Sequence, residues 1–259
     1  MKQVNKKTTP VKKSFVKKKE EQPAVISAAL LGDELLLQEY AKLFEENRIT
    51  VFFEKSLPAN AKKITYAFEL TTADAGTKKK HLQLFEKLLS PETPIISSSI
   101  TQTLLEQMQW MQHKERLVGI GAFPTLIENS AVELTTTFHT KSEIADAVQN
   151  FFAAIKKEAC FVQDSVGMVM PRILCQIINE AMFAVQYGIA QPKDIDEAMK
   201  LAMQFPLGPI EWGEKIGFKN IVDVLDALHS FTKEERYKVS PLLRRISLAG
   251  VFWNSHSSR

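Results

Sequence analysis

After Pro23 the chain moves between two rhythms of apolar and polar positions. Ala24-Val25-Ile26-Ser27-Ala28 reads as a buried strand, and Gly32-Asp33 lead from it into a helix. In that helix Leu36, Tyr40, Leu43 and Phe44 fall at i, i+4, i+7 and i+8, which makes one apolar face. Ile49 to Phe53 is the next expected strand, with Glu54 at its end, and Ile64 to Leu70 is a third. A helix with Leu82, Phe85 and Leu89 on one side then runs to the Ser90-Pro91 stop. Pro94-Ile95-Ile96 and Leu117 to Ile120 read as short buried strands, Val132 to Phe138 as a β-branched one, and Cys160-Phe161-Val162 as the last. Ser142 is expected to cap a helix whose Ile144, Val148, Phe151 and Ile155 share a face, with Lys156-Lys157 at its negative end.

From Val166 onward the strand rhythm disappears. Ile173, Ile177, Ala181 and Val185 mark a long helix ended by Gly188. Pro192 suits the first turn of the next, which carries Ile195, Met199 and Met203, and further helical segments follow. The pattern predicts an α/β domain with a mostly parallel sheet over residues 23–165, then an all-α domain over 166–259.

Charge changes this picture only at one end. Lys+Arg 33 against Asp+Glu 30 gives +3 over 259 residues. Residues 1–22 hold Lys2, Lys6, Lys7, Lys12, Lys13, Lys17, Lys18 and Lys19 against Glu20 and Glu21, a local +6 that leaves −3 for the rest. The basic balance therefore describes a tail, expected to be a disordered, solvated extension that protease trims without unfolding the body. The other reading of that tail is a tether to nucleic acid or an acidic surface, which salt would weaken; nucleic acid is not the expected partner. The tail lacks the long apolar run of a secretory signal, and no stretch of 18 apolar residues offers a membrane span. Two cysteines, Cys160 and Cys175, lack metal-type spacing, so no metal site is expected and a reduced, cytoplasmic setting fits them best.

Candidate chemistry is sparse at first sight. A dinucleotide site needs a glycine-rich turn after the first strand, so that a pyrophosphate can approach the helix N-terminus. Here that turn reads Ser27-Ala28-Ala29-Leu30-Leu31-Gly32, with Gly32 alone surviving, and Glu54 stands where an acid would meet a ribose. Of five histidines, His139 is the one expected near the C-terminal edge of the sheet. Lys78-Lys79-Lys80 reads as an exposed helix start, with phosphate binding as the sharper alternative.

The second half is more telling. Asp164-Ser165-Val166-Gly167-Met168-Val169-Met170-Pro171-Arg172-Ile173-Leu174 resembles the D-T-P-G-F-I-V-N-R-L-L segment of 3-hydroxyacyl-CoA dehydrogenases. Asn179-Glu180-Ala181, the run Gln191 to Ala198, Phe205 to Glu211 and Ser240 to Arg245 are similar to later segments of that family, in the same order. The fit is thinner upstream: Phe68-Glu69-Leu70 stands for I-E-A, Ser97-Ser98-Ser99 for S-N-T-S-S, Gly119 to Phe123 for G-L-H-F-F, and Ala131 to Leu134 for L-V-E-V.

The resemblance implies a Rossmann-like, NAD-binding-type first domain, a helical second domain through which two subunits pair, and hydride transfer between NAD and the 3-carbon of an acyl-CoA. It implies a histidine as base, a glutamate orienting it, and a serine and an asparagine on the reacting oxygen. The glutamate carries over as Glu133, whereas the histidine position is Gly121, the asparagine position Pro171 and the serine position Ile100, with Ser99 or Thr101 as neighbours. A missing general base costs about 10²–10⁴ in rate. The ten-residue step from Glu54 to Ile64 leaves almost no room for the family's CoA-gripping helical hairpin. The expectation is a catalytically impaired member acting as a homodimeric binding or scaffold protein; the alternative is an active NAD-dependent oxidoreductase using His139 with Glu133.

Overall fold

A computed structural model of the chain describes residues 26–58 and 60–250. The Lys-rich tail expected over residues 1–22 lies outside the described residues. Seven strands form one sheet in the order β2-β1-β3-β4-β5-β6-β7. They are β1 (Ser27–Gly32), β2 (Thr50–Phe53), β3 (Tyr66–Leu70), β4 (Ile95–Ser98), β5 (Leu117–Ile120), β6 (Ala131–Thr135) and β7 (Glu158–Phe161). Helices α1 (Glu34–Glu46), α2 (Ala75–Leu88), α3 (Leu104–Met108) and α4 (Ser142–Ala154) cover it. The first five strands run parallel, β5 and β6 pair antiparallel, and β7 follows β6.

Alternation along the strands sorts the core into two layers. Ala28, Leu30, Phe68 and Val118 pack with Tyr40 and Phe44 of α1 and Phe151 and Phe152 of α4. Ala29, Leu31, Ala67 and Ile95 pack with Leu82 and Phe85 of α2 and Leu104 and Met108 of α3. The second lobe is α5 (Met170–Gln186), α6 (Pro192–Met203), α7 (Pro209–Ile216), α8 (Phe218–Thr232) and α9 (Pro241–Ala249). Its core takes in Ile100, Phe123 and Leu126 from loops at the sheet edge, so the lobes share one apolar seam. Polar contacts line the same seam: the Asp164 carboxylate, on the segment leading to α5, accepts the N–H groups of Leu104 and Leu105 at 2.7 and 2.9 Å, and the Trp212 indole donates across to the Thr125 hydroxyl at 2.9 Å.

Local details depart from the sequence pattern where tertiary contacts compete. The strand expected to reach Phe138 stops at Thr135 and turns. Ser142 opens α4 instead of capping it, and its hydroxyl bonds Glu143. Lys157 reaches the carbonyls of Ile127 and Asn129 at 2.7 and 2.6 Å, serving a neighbouring 3₁₀ turn instead of its own helix end. Two 3₁₀ turns, Glu54–Ser56 and Ala61–Lys63, join β2 to β3 in place of a helical hairpin.

Candidate functional site

The loops after β1, β3, β4 and β5, the start of β6 and the first turn of α5 meet at one edge of the sheet. Glu133 points from β6 into this junction. One of its carboxylate oxygens accepts the Val169 N–H at 3.0 Å and the other the Met170 N–H at 2.7 Å. Those N–H groups belong to the start of α5 and have no helical partner, so a carboxylate there is stabilised by both hydrogen bonds and the helix dipole. Gly121 lies against it, donating its N–H to the Glu133 carbonyl at 2.9 Å. A Cβ at Gly121 would sit 3.2 Å from Glu133 Cβ and 3.3 Å from Glu133 Oε2. The space above is a cavity of about 30 Å³ bounded by Tyr40, Ile120, Gly121, Asn129, Glu133 and Met170. That is about the share of one water molecule in the liquid, against roughly 300 Å³ or more for a small-molecule site.

The groups expected on a reacting oxygen are engaged elsewhere. Ile100 is fully buried among the helical lobe's apolar residues, and its carbonyl accepts the Gly167 N–H at 2.7 Å. The buried Ser99 hydroxyl donates to the Ser97 carbonyl at 3.2 Å and accepts from the Gln107 amide at 3.1 Å. Thr101 donates its hydroxyl to the Thr72 carbonyl. Pro171 is buried in the first turn of α5 and supplies no side-chain donor.

His139 is not part of this edge. Its place just after a strand suggests the edge, but β6 runs against β5, so the end of β6 lies at the opposite side of the sheet. Thr140 bonds the carbonyl of Leu117, the first residue of β5, while Gly121 and Glu133 sit past the other end of that strand. A four-residue strand separates them by about 13 Å. His139 is exposed, and its ring meets Phe138 with centroids 4.2 Å apart.

Three strands from Glu133, on β3, lies a cluster that the sequence pattern did not announce. Lys78, expected at an exposed helix start, is fully buried and donates to Glu69 at 2.7 Å and to the Ser98 carbonyl at 2.7 Å. Glu69 also accepts from Ser97 Oγ at 3.1 Å and the Thr71 N–H at 3.1 Å, with His81 Nδ1 at 3.2 Å. Burial alone would raise the Glu69 carboxyl, but the Lys78 charge and the hydrogen bonds from His81, Lys78 and Thr71 hold it below the ordinary carboxylate range. A signal exists in the register: Lys78 precedes Leu82, Phe85 and Leu89 by 4, 7 and 11 positions, on the same inward face of α2.

The two residues expected to meet a dinucleotide are neighbours here. Leu30 pairs with Phe53, which brings Gly32 and the exposed Glu54 to adjacent strand ends. Gly32 has φ +146°, and a Cβ there would lie 2.4 Å from the Leu70 carbonyl carbon. Asp33 donates its N–H to the Leu70 carbonyl at 3.3 Å, and its carboxylate accepts the Thr72 N–H at 2.7 Å. Among the described residues, no group of three His, Cys, Asp or Glu side chains is placed to hold a metal, and no helix is long and apolar enough to cross a membrane.

Comparison with known proteins adds a family and a fold. Residues 167–257 match the model of the 3-hydroxyacyl-CoA dehydrogenase C-terminal domain. The chain is 29% identical over 182 residues to a probable 3-hydroxybutyryl-CoA dehydrogenase of Bacillus subtilis, covering 70% of this chain and 63% of that one. It is 26% identical over 185 residues to 3-hydroxybutyryl-CoA dehydrogenase of Clostridioides difficile, covering 71% of this chain and 66% of that one. The matches thus span a little under two thirds of these relatives' length. Among solved structures, (S)-3-hydroxybutyryl-CoA dehydrogenase of Ralstonia eutropha superposes with a TM-score of 0.70 at 20% identity, over 87% of this chain and 94% of that one.

Proposed function

The chain belongs to the 3-hydroxyacyl-CoA dehydrogenase family, and from that premise we propose that it is a catalytically impaired member working as a homodimeric binding or scaffold protein. The observation that carries this reading is the pair Gly121 and Glu133. Where the family resemblance calls for a base oriented by a carboxylate, the carboxylate is bonded to the Val169 and Met170 N–H groups and Gly121 offers no proton acceptor. Ile100 and Pro171, at the oxygen-binding positions, add nothing that polarises a carbonyl. The acyl-CoA and NAD that the family implies therefore remain resemblances in this reading, and no reaction step is assigned to them. The alternative of an active oxidoreductase relying on His139 has no support from the ring's position across the sheet.

Pairing is supported by an apolar ridge on the outer face of α5. Met170, Ile173 and Tyr187 are exposed, with Ile177 and Ala184 half-buried between them and the exposed Glu180 as the one charge in the series, a spacing that lines one side of the helix. A groove of about 800 Å³ between α5 and residues 235–238 flanks the ridge on one side. A second, almost wholly apolar groove of about 300 Å³ between α5 and α6 flanks it on the other. Ridge and groove on one helix suit a two-fold contact, in which the same patch serves both copies.

The test is oxidation of NADH with acetoacetyl-CoA at high protein concentration, alongside the mass in solution. A flat trace from a dimer is the expected outcome. A robust rate that disappears in Glu133→Gln would overturn the reading.

A further inference from the structure

We infer that the sheet-bearing half of this chain binds no dinucleotide, because the crevice where its strand order reverses is bridged by the chain's own groups. The inference deepens the reading above and rests on its family assignment, but not on the loss of catalysis. In open parallel sheets a ligand enters beyond the carboxyl ends of the two strands flanking the reversal, here β1 and β3.

Three features of the residues around that opening oppose a dinucleotide. The first is backbone on backbone. Gly32 is the ladder partner of Leu70, whose backbone atoms lie 2.4 and 2.7 Å from the point a Cβ would occupy, so the glycine left in this turn is required by the β1–β3 pairing itself and gives no room to a pyrophosphate. The second is an internal anion. The Asp33 carboxylate takes the Thr72 N–H at 2.7 Å, while the Thr101 hydroxyl donates to the Thr72 carbonyl. Asp33 and Glu34 are both exposed at the start of α1, so an incoming phosphate meets like charge where a helix N-terminus would otherwise favour it. The third is a consumed cation. Lys78 is fully buried and divided between Glu69 and the Ser98 carbonyl. The Thr72 hydroxyl is left without a partner, one donor where a pyrophosphate needs several N–H groups.

The consequence reaches beyond catalysis. A pseudoenzyme that had kept its cofactor crevice could report the balance of oxidised and reduced nicotinamide. This chain is built so that its dimer and its surfaces are indifferent to that balance.

The experiment is a titration of the 259-residue chain with NADH, read by nicotinamide fluorescence, and with NAD⁺, read by calorimetry, both carried to millimolar concentration without acyl-CoA. No saturable signal is expected. Saturable binding of either form would overturn the inference. Amide hydrogen exchange gives a second reading that needs no ligand. The Thr72 N–H is expected to exchange slowly in the native chain and at least about tenfold faster in Asp33→Ala. Fast exchange in the native chain would mean that the crevice opens, and would also overturn it. Binding without NADH oxidation would sink this inference alone and leave the loss of catalysis standing, whereas turnover would sink both.

Discussion

The Glu133 carboxylate and the Met170 N–H lie 2.7 Å apart, and through that bond a strand of the sheet holds the first turn of the helical lobe's longest helix. The residue that the family resemblance assigns to catalysis thus has a structural role. Replacing it with alanine frees two helix-start N–H groups at the seam between lobes. Glu133→Ala is expected to lower stability by about 1–2 kcal/mol, the usual value of a helix cap with a favourable dipole contact. Glu133→Gln, which keeps one acceptor oxygen, should lose about half as much. Urea unfolding checks both, and an unchanged midpoint in the alanine variant would show that the cap contributes nothing.

The Lys78–Glu69 pair should behave as a buried ion pair does. Lys78→Met leaves a carboxylate buried without its cation and is expected to destabilise by roughly 3–5 kcal/mol. The double variant Glu69→Leu, Lys78→Met should recover most of that loss. The pH dependence has a fixed sign. The folded pKa of Glu69 is lowered from its usual 4.5, so the pair's contribution is present above that value and is lost as pH falls below it toward the folded value. Stability followed from neutral pH into acid should fall more steeply below pH 4.5 in the native chain than in the double variant. Equal slopes would count against the assignment.

Restoring the missing base should not restore a reaction. Gly121→His places a Cβ 3.3 Å from a Glu133 oxygen and a ring into about 30 Å³, so it competes with the α5 cap. In an intact site a general base is worth about 10²–10⁴ in rate. Here Ile100 and Pro171 still supply no oxygen ligand, and the expected result is a less stable protein with no NADH oxidation. Gain of turnover in this single variant would show that the site lacks only its base.

Ile173 is half exposed, at 50%, one turn into the apolar ridge on α5. A charge there should abolish a two-fold contact while leaving the fold alone, because the side chain points away from its own core. Ile173→Asp is expected to sediment as a monomer with unchanged helix content, against a dimer for the native chain. A variant that remains dimeric would place the contact on another face.

The strand–helix alternation and the switch to helices after Val166 were legible because buried strands and amphipathic helices write different periods into a sequence. The strand expected over Leu117–Ile120 has those bounds, since nothing local competes with three apolar residues and a glycine between turns. Direction was not legible. Nothing in the composition of residues 131–135 says that this strand runs against its neighbours, and that reversal is what carries His139 to the far edge. Lys78 was misread for a different reason. Three consecutive lysines look solvated, and only their register against Leu82, Phe85 and Leu89 separates the buried one from the two exposed ones. Asp33 and Asp164 were invisible as bridges, because each bonds backbone N–H groups that are distant in sequence and carry no residue-type signal.

The contact between Gly32 and Leu70 also bears on how substitution data for this chain would read. Alanine at Gly32 would drive a methyl group into a neighbouring strand, so a saturation screen scored on folding or abundance should mark this position as intolerant. Tolerance maps are often turned into ligand-contact maps, with intolerant glycines in a strand-to-helix turn assigned to a phosphate. Such a conversion would fail here: the glycine is required by the polypeptide itself, and its intolerance would persist in a molecule that never meets a nucleotide.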